Sequence, residues 1–407
     1  MNRNPNIPPP TNILKPEDLI PDRMPGELQA DDIVAAEEMP GFDQAEVYLT
    51  IEKKKLGKYL HKKNEDNVLV DPETGLMGVM DGLGGMRNGD LASLVCEQVM
   101  PGEFRNALVK AEKLGPERAA GMLLETQSRK LRGLPEEERR HKDAEKMIRT
   151  VVGVDPELVM KGLALIEALQ AASEAVSDTG GMTTACIGLI HEARNGKRYA
   201  VVANVGDSAA YVRRADGRME RLTHEDSAYE SLVRRGVLID GLGIKDYIDL
   251  HRDPISDKVS QNLDIPIPLT QENCLALGYG EGEYEARKGR GDTAIHWTYG
   301  DLMVTVIDAL GGPTPPSPSL EIVEVRDGDE LLFCTDGLVD KYEDPATGTT
   351  DLAELGIDME TGNTPEERLD NLRTLAKHRR TYKLDDDIAI VKARIKKRNG
   401  NKTTSPS

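Results

Sequence analysis

Met80-Asp81-Gly82-Leu83-Gly84-Gly85-Met86-Arg87-Asn88-Gly89-Asp90 closes an apolar run that begins at Leu76. A carboxylate that leaves a strand and enters a turn with glycines at 82, 84 and 85 sits where backbone can approach an ion closely. Hard divalent cations take oxygen ligands from carboxylates and main-chain carbonyls, which makes Asp81 and the carbonyl of Gly82 a candidate ligand pair. The same residues also read as a tight hairpin turn with a solvated aspartate. The rest of the chain decides between the two.

Immediately upstream, residues 67–70 and 76–80 are apolar and flank Asp71-Pro72-Glu73-Thr74-Gly75, so a hairpin delivers Asp81 to the end of its second strand. Further out, residues 47–51 are strand-like in β-branched and aromatic content. Residues 1–44 carry Pro8-Pro9-Pro10, Pro16, Pro21, Pro25 and Pro40 and read as a flexible Pro-rich N-terminal arm. Downstream, residues 91–176 turn to Ala, Leu, Glu, Lys and Arg, the composition of long helices. Asp155-Pro156-Glu157 supplies a helix cap, a proline at the first helical position and an acid in the first turn. The charged piece 136–146 reads as a solvated helix face.

Strands return from Met182. Residues 184–190 and 197–205 are joined through Asn195-Gly196, and 209–213 runs on to 219–222 through Asp216-Gly217, both strong hairpin signals. An antiparallel meander after helices predicts an α+β fold. Residues 224–303 are too long for an ordinary connection and are expected to form an insertion or flap, with some helix near 229–235. Strands are expected at 304–310, 320–325, 330–334 and 388–395, a helix at 364–378, and a disordered polar tail at 396–407.

The 407 residues suffice for one large domain or two ordinary ones. A net charge of −19, from 71 acidic against 52 basic residues, argues against binding nucleic acid or an anionic membrane. Cys96, Cys186, Cys274 and Cys334 form no CxxC pair and read as reduced, buried thiols. No apolar run approaches the roughly 20 residues of a membrane span, and the N-terminus lacks the plan of a signal peptide, so a cytoplasmic location is expected.

Other acidic signals share the placement of Asp81, at the junction of an apolar strand and a turn. Glu65-Asp66 precede the hairpin, Asp207 follows Val205-Gly206, Asp336 and Asp340 follow Leu331-Leu332-Phe333-Cys334, and Asp385-Asp386-Asp387 leads into Ile388-Ala389-Ile390-Val391. If Asp336 opens a helical turn, Asp340 lies one turn on and shares its face. Each alone reads as a turn-former or cap. Together, anions converging at strand ends would repel unless cations compensated them.

The ordered motifs Asn64-Glu65-Asp66, Asp81-Gly82-Leu83-Gly84-Gly85, Gly181-Met182-Thr183-Thr184, Asn204-Val205-Gly206-Asp207-Ser208, Ala309-Leu310-Gly311-Gly312, Thr335-Asp336-Gly337-Leu338-Val339-Asp340 and Asp386-Asp387-Ile388-Ala389 resemble those of the metal-dependent protein phosphatases of the 2C type, in a bacterial style. The resemblance covers about residues 46–395, within a single phosphatase-like domain at 45–395. It implies a central β-sandwich of two antiparallel sheets flanked by helices, with two Mn2+ or Mg2+ ions at one end. It further implies that Asp81 bridges the ions, that Gly82 gives a carbonyl to one, and that Asp336 and Asp386 hold the other. Glu65 and Asp66 would act directly or through water, and Asp207 and Asp340, with Asp336, fall at a third, weaker metal site. The implied catalytic set is Asp81, Asp336 and His61.

His61 stands where the family usually carries a phosphate-binding arginine. An imidazole is charged only part of the time near neutral pH and cannot make the bidentate contact of a guanidinium. Lys62 or Lys63 is an alternative source of charge, and a solvated basic strand end is the bland reading of all three. Asp387 stands where asparagine is usual and adds an anion beside the site. The implied function is a metal-dependent serine/threonine protein phosphatase acting on a phosphorylated protein substrate through a metal-activated water. The alternatives are a pseudophosphatase that binds phosphoproteins as a scaffold, favoured by His61, and an unrelated phosphoesterase for small molecules. His224, His251 and His296 make no metal motif, and Trp297 reads as a packing anchor.

Overall fold

The computed structural model describes residues 33–35, 42–50, 55–56, 59–60, 64–83, 88–130, 155–223, 226, 266–271, 281–298, 306, 308–340, 342–344, 349–359, 361, 367–368, 371–372, 374 and 387–395. In chain order its elements are β1 (Ile33–Ala35), β2 (Phe42–Thr50), β3 (Lys55–Leu56), β4 (Tyr59–Leu60), β5 (Asp66–Asp71), β6 (Leu76–Asp81), α1 (Gly89–Leu114), α2 (Pro116–Lys130), α3 (Pro156–Ser177), β7 (Ala185–Glu192), β8 (Arg198–Val205), β9 (Ala209–Arg213) and β10 (Met219–Arg221). They continue with β11 (Pro266–Pro268), α4 (Glu281–Gly289), β12 (Ala294–Thr298), β13 (Ser319–Val325), β14 (Glu330–Cys334), α5 (Asp336–Val339), β15 (Glu343–Asp344), β16 (Thr349–Thr350), α6 (Leu352–Asp358) and β17 (Ile388–Ile395).

The hairpin around the Asp71–Gly75 turn is present. Gly75 takes φ 75°, open to a residue without a β-carbon. The Asp71 carboxylate accepts the N–H groups of Glu73 and Thr74 at 3.3 and 3.2 Å, which fixes the turn and with it the register of the strands. β5 and β6 join β7, β8 and β13 in a five-stranded sheet of order β13-β8-β7-β6-β5. A six-stranded sheet has the order β1-β2-β17-β14-β9-β10, and every pairing in both sheets is antiparallel.

Side chains alternate along each strand, so each sheet sorts its residues to two faces. Met77, Val79, Cys186, Ala200 and Val202 of the five-stranded sheet meet Ala210, Val212, Leu331, Phe333, Ala389, Val391 and Ala393 of the other in one buried apolar layer. The opposite face of the five-stranded sheet, including Leu76, Met80, Ile187, Val201 and Ala203, packs beneath α1, α2 and α3 through Cys96, Met100, Leu123, Leu163, Ile166 and Leu169. The outer face of the six-stranded sheet buries Tyr211, Leu332, Cys334, Ile388 and Ile390 against Leu338, Tyr342, Leu355, Met359 and Leu372. The result is the expected α+β sandwich, two antiparallel sheets flanked by helices.

One expectation changes. The arm drawn over 1–44 holds strand at both 33–35 and 42–44, with Ile33 opposite Tyr48 and Val34 opposite Val47. β-Branched residues in a stretch with no proline between Pro25 and Pro40 can supply a full ladder edge. Within the region drawn as a flap, β11 pairs with β12, and α4 lies between them. Residues 1–32, 36–41, 136–146, 229–235 and 396–407, together with His224, His251 and Cys274, lie outside the described residues.

Candidate metal centre

The inner faces of both sheets carry on past the apolar layer at one end, and there they turn polar. Counting by two from Val68 reaches Asp66, and from Val79 reaches Asp81. From Cys186 the count reaches Thr184, from Ala210 Ser208, from Phe333 Thr335, and from Ala389 Asp387. These strand termini share an end, since Asp66 lies opposite Asp81, Ala185 opposite Val205, and Cys334 opposite both Ala209 and Ile390.

Asp66 and Asp81 therefore occupy one rung with their side chains on one face, and Asp66 is only 3% exposed. Like charges directly opposite in a strand pair destabilise it, and a buried carboxylate needs donors or cations. Thr335 Oγ1 donates to Asp66 Oδ2 at 2.8 Å. The Asp81 backbone is held by Thr184, whose N–H donates to Asp81 O at 2.8 Å and whose Oγ1 accepts the Asp81 N–H at 3.0 Å. Thr183 Oγ1 also donates to Asp81 O at 2.8 Å, and Thr184 Oγ1 shares a 2.7 Å hydrogen bond with Ser208 Oγ.

Gly82 donates its N–H to Glu65 O at 3.0 Å and packs against the start of α1. A β-carbon there would lie 2.3 Å from Gly89 O, so the close backbone approach anticipated from the sequence is a steric requirement. Glu65 Oε1 lies near the same helix start, 3.0 Å from where a Gly89 β-carbon would be. The Glu65 carbonyl accepts from Ser93 Oγ at 2.6 Å.

Asp336 opens α5, with Asp340 N–H donating to Asp336 O at 2.8 Å, so the one-turn spacing read from the sequence holds. The Asp336 Oδ1 atom is buried with no hydrogen-bond partner among the described residues, and Asp340 is 6% exposed. A buried carboxylate oxygen that no protein donor reaches is the acceptor a hard cation takes. Asp207 follows Gly206, whose φ of 99° and crowding by the Thr184 side chain admit glycine alone. His61, Lys62, Lys63, Gly84, Gly85 and Asp386 lie outside the described residues.

Asp387 does more than add an anion. It faces the layer between the sheets, is 4% exposed, and its Oδ2 accepts the Glu65 N–H at 3.1 Å. It thus ties the two sheets together beside the candidate ligands Glu65 and Asp66. Thr184, Ser208 and Thr335 went unremarked as supports in the sequence reading, although carrying the two-residue alternation past each strand end picks them out.

One further group, Asp155, Glu157 and His191, has ligand-type atoms within 4.8 Å of one another. It lies at the other end of β7, where His191 pairs with Tyr199. Lys161 Nζ already sits there, 3.1 Å from His191 Nδ1 and 3.2 Å from Glu157 Oε1. The ammonium can only donate, so Nδ1 accepts and Nε2–H donates to Asp155 Oδ2 at 3.1 Å. This is an ion-paired helix cap.

Cys96, Cys186 and Cys334 are buried and unbridged, as expected. Burial pushes all three thiols up, Cys334 to about 12, so they are protonated at neutral pH.

Residues 309–396 match the family model described as Stage II sporulation protein E. That span carries β13, β14, α5 and β17, and with them Asp336, Asp340 and Asp386. Among solved structures, the chain is similar to PppA, described as a key regulatory component of T6SS in Pseudomonas aeruginosa, with 17% identity over 86% of this chain and 96% of that one and a TM-score of 0.44. It is also similar to the serine/threonine phosphatase PstP/Ppp of Mycobacterium tuberculosis, with 18% identity, 87% and 99% coverage and a TM-score of 0.42. For the serine/threonine phosphatase Stp1 of Staphylococcus aureus the figures are 18%, 89% and 98%, with a TM-score of 0.45. No curated protein matches the chain. Among the described residues, no helix is long and apolar enough to cross a membrane.

Proposed function

We propose that this protein is a metal-dependent serine/threonine protein phosphatase, hydrolysing phosphoserine and phosphothreonine with water at a centre that holds two Mn2+ or Mg2+ ions. The observation that carries the reading is the placement of Asp66 and Asp81 on one rung, with Asp336, whose Oδ1 has no donor among the described residues, joined to them through Thr335. Asp81, the Gly82 carbonyl, Asp336 and Asp386 would hold the two ions, with Glu65 and Asp66 acting directly or through water, and Asp207 and Asp340, with Asp336, would hold a third, weaker one. Bound divalent cations would supply positive charge that acidifies a water and neutralises phosphoryl oxygens.

The chain's own groups set the rest. Thr184, which holds the Asp81 backbone, and Thr335, which donates to the Asp66 carboxylate, keep these two residues in place without reorganisation. The water oxygen bonds to phosphorus, the bond from phosphorus to the serine or threonine oxygen breaks, and the proton goes to the departing alkoxide, leaving inorganic phosphate. A cysteine nucleophile has no support among the described residues, because all three thiols are buried and held protonated. His61 takes the substrate phosphate when protonated, and the partner is a phosphorylated protein.

The test is hydrolysis of a phosphothreonine peptide with and without Mn2+, comparing wild type with Asp336→Asn. Metal-dependent turnover that falls at least about 100-fold in the variant is expected, as for loss of a group that directly stabilises charge in the reaction. No turnover from a wild-type protein that still binds Mn2+ would replace this reading with the phosphoprotein-binding one, for which His61 in place of arginine is the favouring observation.

A further inference from the structure

The carboxylates proposed as ligands come from both sheets: Glu65, Asp66 and Asp81 from the five-stranded sheet, and Asp336, which follows β14, from the six-stranded one. Their separation is therefore set by how the two sheets meet at this end, and apolar packing alone fixes such a spacing loosely. Thr335 bridges the gap. Its Oγ1 donates to Asp66 Oδ2 at 2.8 Å and accepts the Ala389 N–H at 2.9 Å, while its own N–H donates to Ala389 O at 3.1 Å. Thr335 is fully buried, and the next residue is Asp336.

We propose that Thr335 is a positioning residue that sets the spacing between the two sheets' carboxylates by joining β5, β14 and β17 through one hydroxyl. A hydroxyl suits this because it donates and accepts at once. Its donor lobe fixes the rotamer of Asp66, and its acceptor lobe is held by the first N–H of the β17 ladder beyond Ile388. The Asp387 carboxylate makes a second crossing to Glu65 N, so the end of the sandwich is fastened at two points and Asp66 cannot turn without losing a bond. The inference rests on the two-metal reading of the site.

The experiment is Mn2+ titration by calorimetry on wild type, Asp336→Asn, Thr335→Val and Thr335→Ser, with thermal melts of each metal-free protein. Valine matches threonine in shape and removes both hydrogen bonds, whereas serine keeps them. Thr335→Val is expected to weaken Mn2+ binding about 10- to 100-fold, as loss of a group that orients a ligand does, and Thr335→Ser to return to within about threefold of wild type. A merely structural threonine would lower the melting temperature and leave Mn2+ affinity unchanged in the folded protein. That result in the valine variant overturns the proposal. If Thr335→Val does not fold, Thr335→Ala is read in the same way. Absence of Mn2+ binding in wild type would instead overturn the two-metal reading itself, and the positioning role with it.

Discussion

Gly337 has no room for a side chain: a β-carbon there would lie 2.0 Å from Asp387 O and 3.3 Å from Ile388 Cγ1. The first turn of α5 is thereby pressed onto the start of β17, which brings Asp336 beside the strand that Asp386 leads into. Gly337→Ala is expected to destabilise the protein by about 1–3 kcal/mol, read as a lower urea midpoint, because backbone has to move to admit the methyl. Gly102 makes the opposite case. It lies inside α1 with nothing within 4 Å of its missing β-carbon, so Gly102→Ala should stabilise by about 0.4–1 kcal/mol in the same assay. Both glycines are identical in the sequence, and only the approach of a second segment tells them apart. The same holds for the site. The meeting of an apolar run and a turn singles out Asp81, Gly82 and Asp336 as candidates, whereas the hydroxyls bonded to the Asp66 carboxylate and the Asp81 backbone depend on which strands become neighbours.

At the scale of the element, the start of α3 shows how a cap that is plain in sequence acquires a second task. Asp155 was legible as an N-cap from Asp155-Pro156-Glu157, and its Oδ1 accepts the Glu157 N–H at 3.0 Å. Its Oδ2 also takes His191 Nε2–H and the Arg194 N–H at 3.1 and 2.9 Å, contacts made only once β7 lies against α3. Burial alone would raise the Asp155 pKa, but the hydrogen bonds from His191, Arg194 and Glu157 hold it below the ordinary carboxylate value. A lowered folded pKa contributes stability that is fully present above the unfolded value near 3.9 and is lost as pH falls through the folded one. Asp155→Ala should therefore cost about 1–3 kcal/mol at pH 7, and the gap between variant and wild type in urea should shrink below about pH 4. Most strands and the hairpins came through from the sequence, because two-residue alternation and Asn-Gly or Asp-Gly turns are local signals, but the strand expected over 304–310 shows only bridges at residues 306 and 310 among its described residues. Strand order was not local, and β1 was hidden within a proline-rich composition that its own few residues escape.

Across the whole molecule, a chain of net charge −19 gathers carboxylates at one end of its sandwich and closes the other with Val325, Ala393 and Ile395. Folding brings these anions together, so cations that bind there should stabilise the fold. At a free Mn2+ concentration 100 times its dissociation constant the expected gain is about 2.7 kcal/mol, seen as a higher melting temperature that a chelator reverses and that Asp336→Asn largely abolishes. Monovalent salt at equal ionic strength should not reproduce it, since screening acts on exposed charges more than on buried ones. The strand order carries a consequence for biosynthesis. β17 lies between β2 and β14, yet it is translated after every other strand of its sheet. A nascent chain that has produced everything up to Leu372 still has an open slot in the middle of that sheet and lacks both Asp386 and the Ala389 amide that secures Thr335. The proposed ligand set is therefore completed only when the last strand of the sheet slides home.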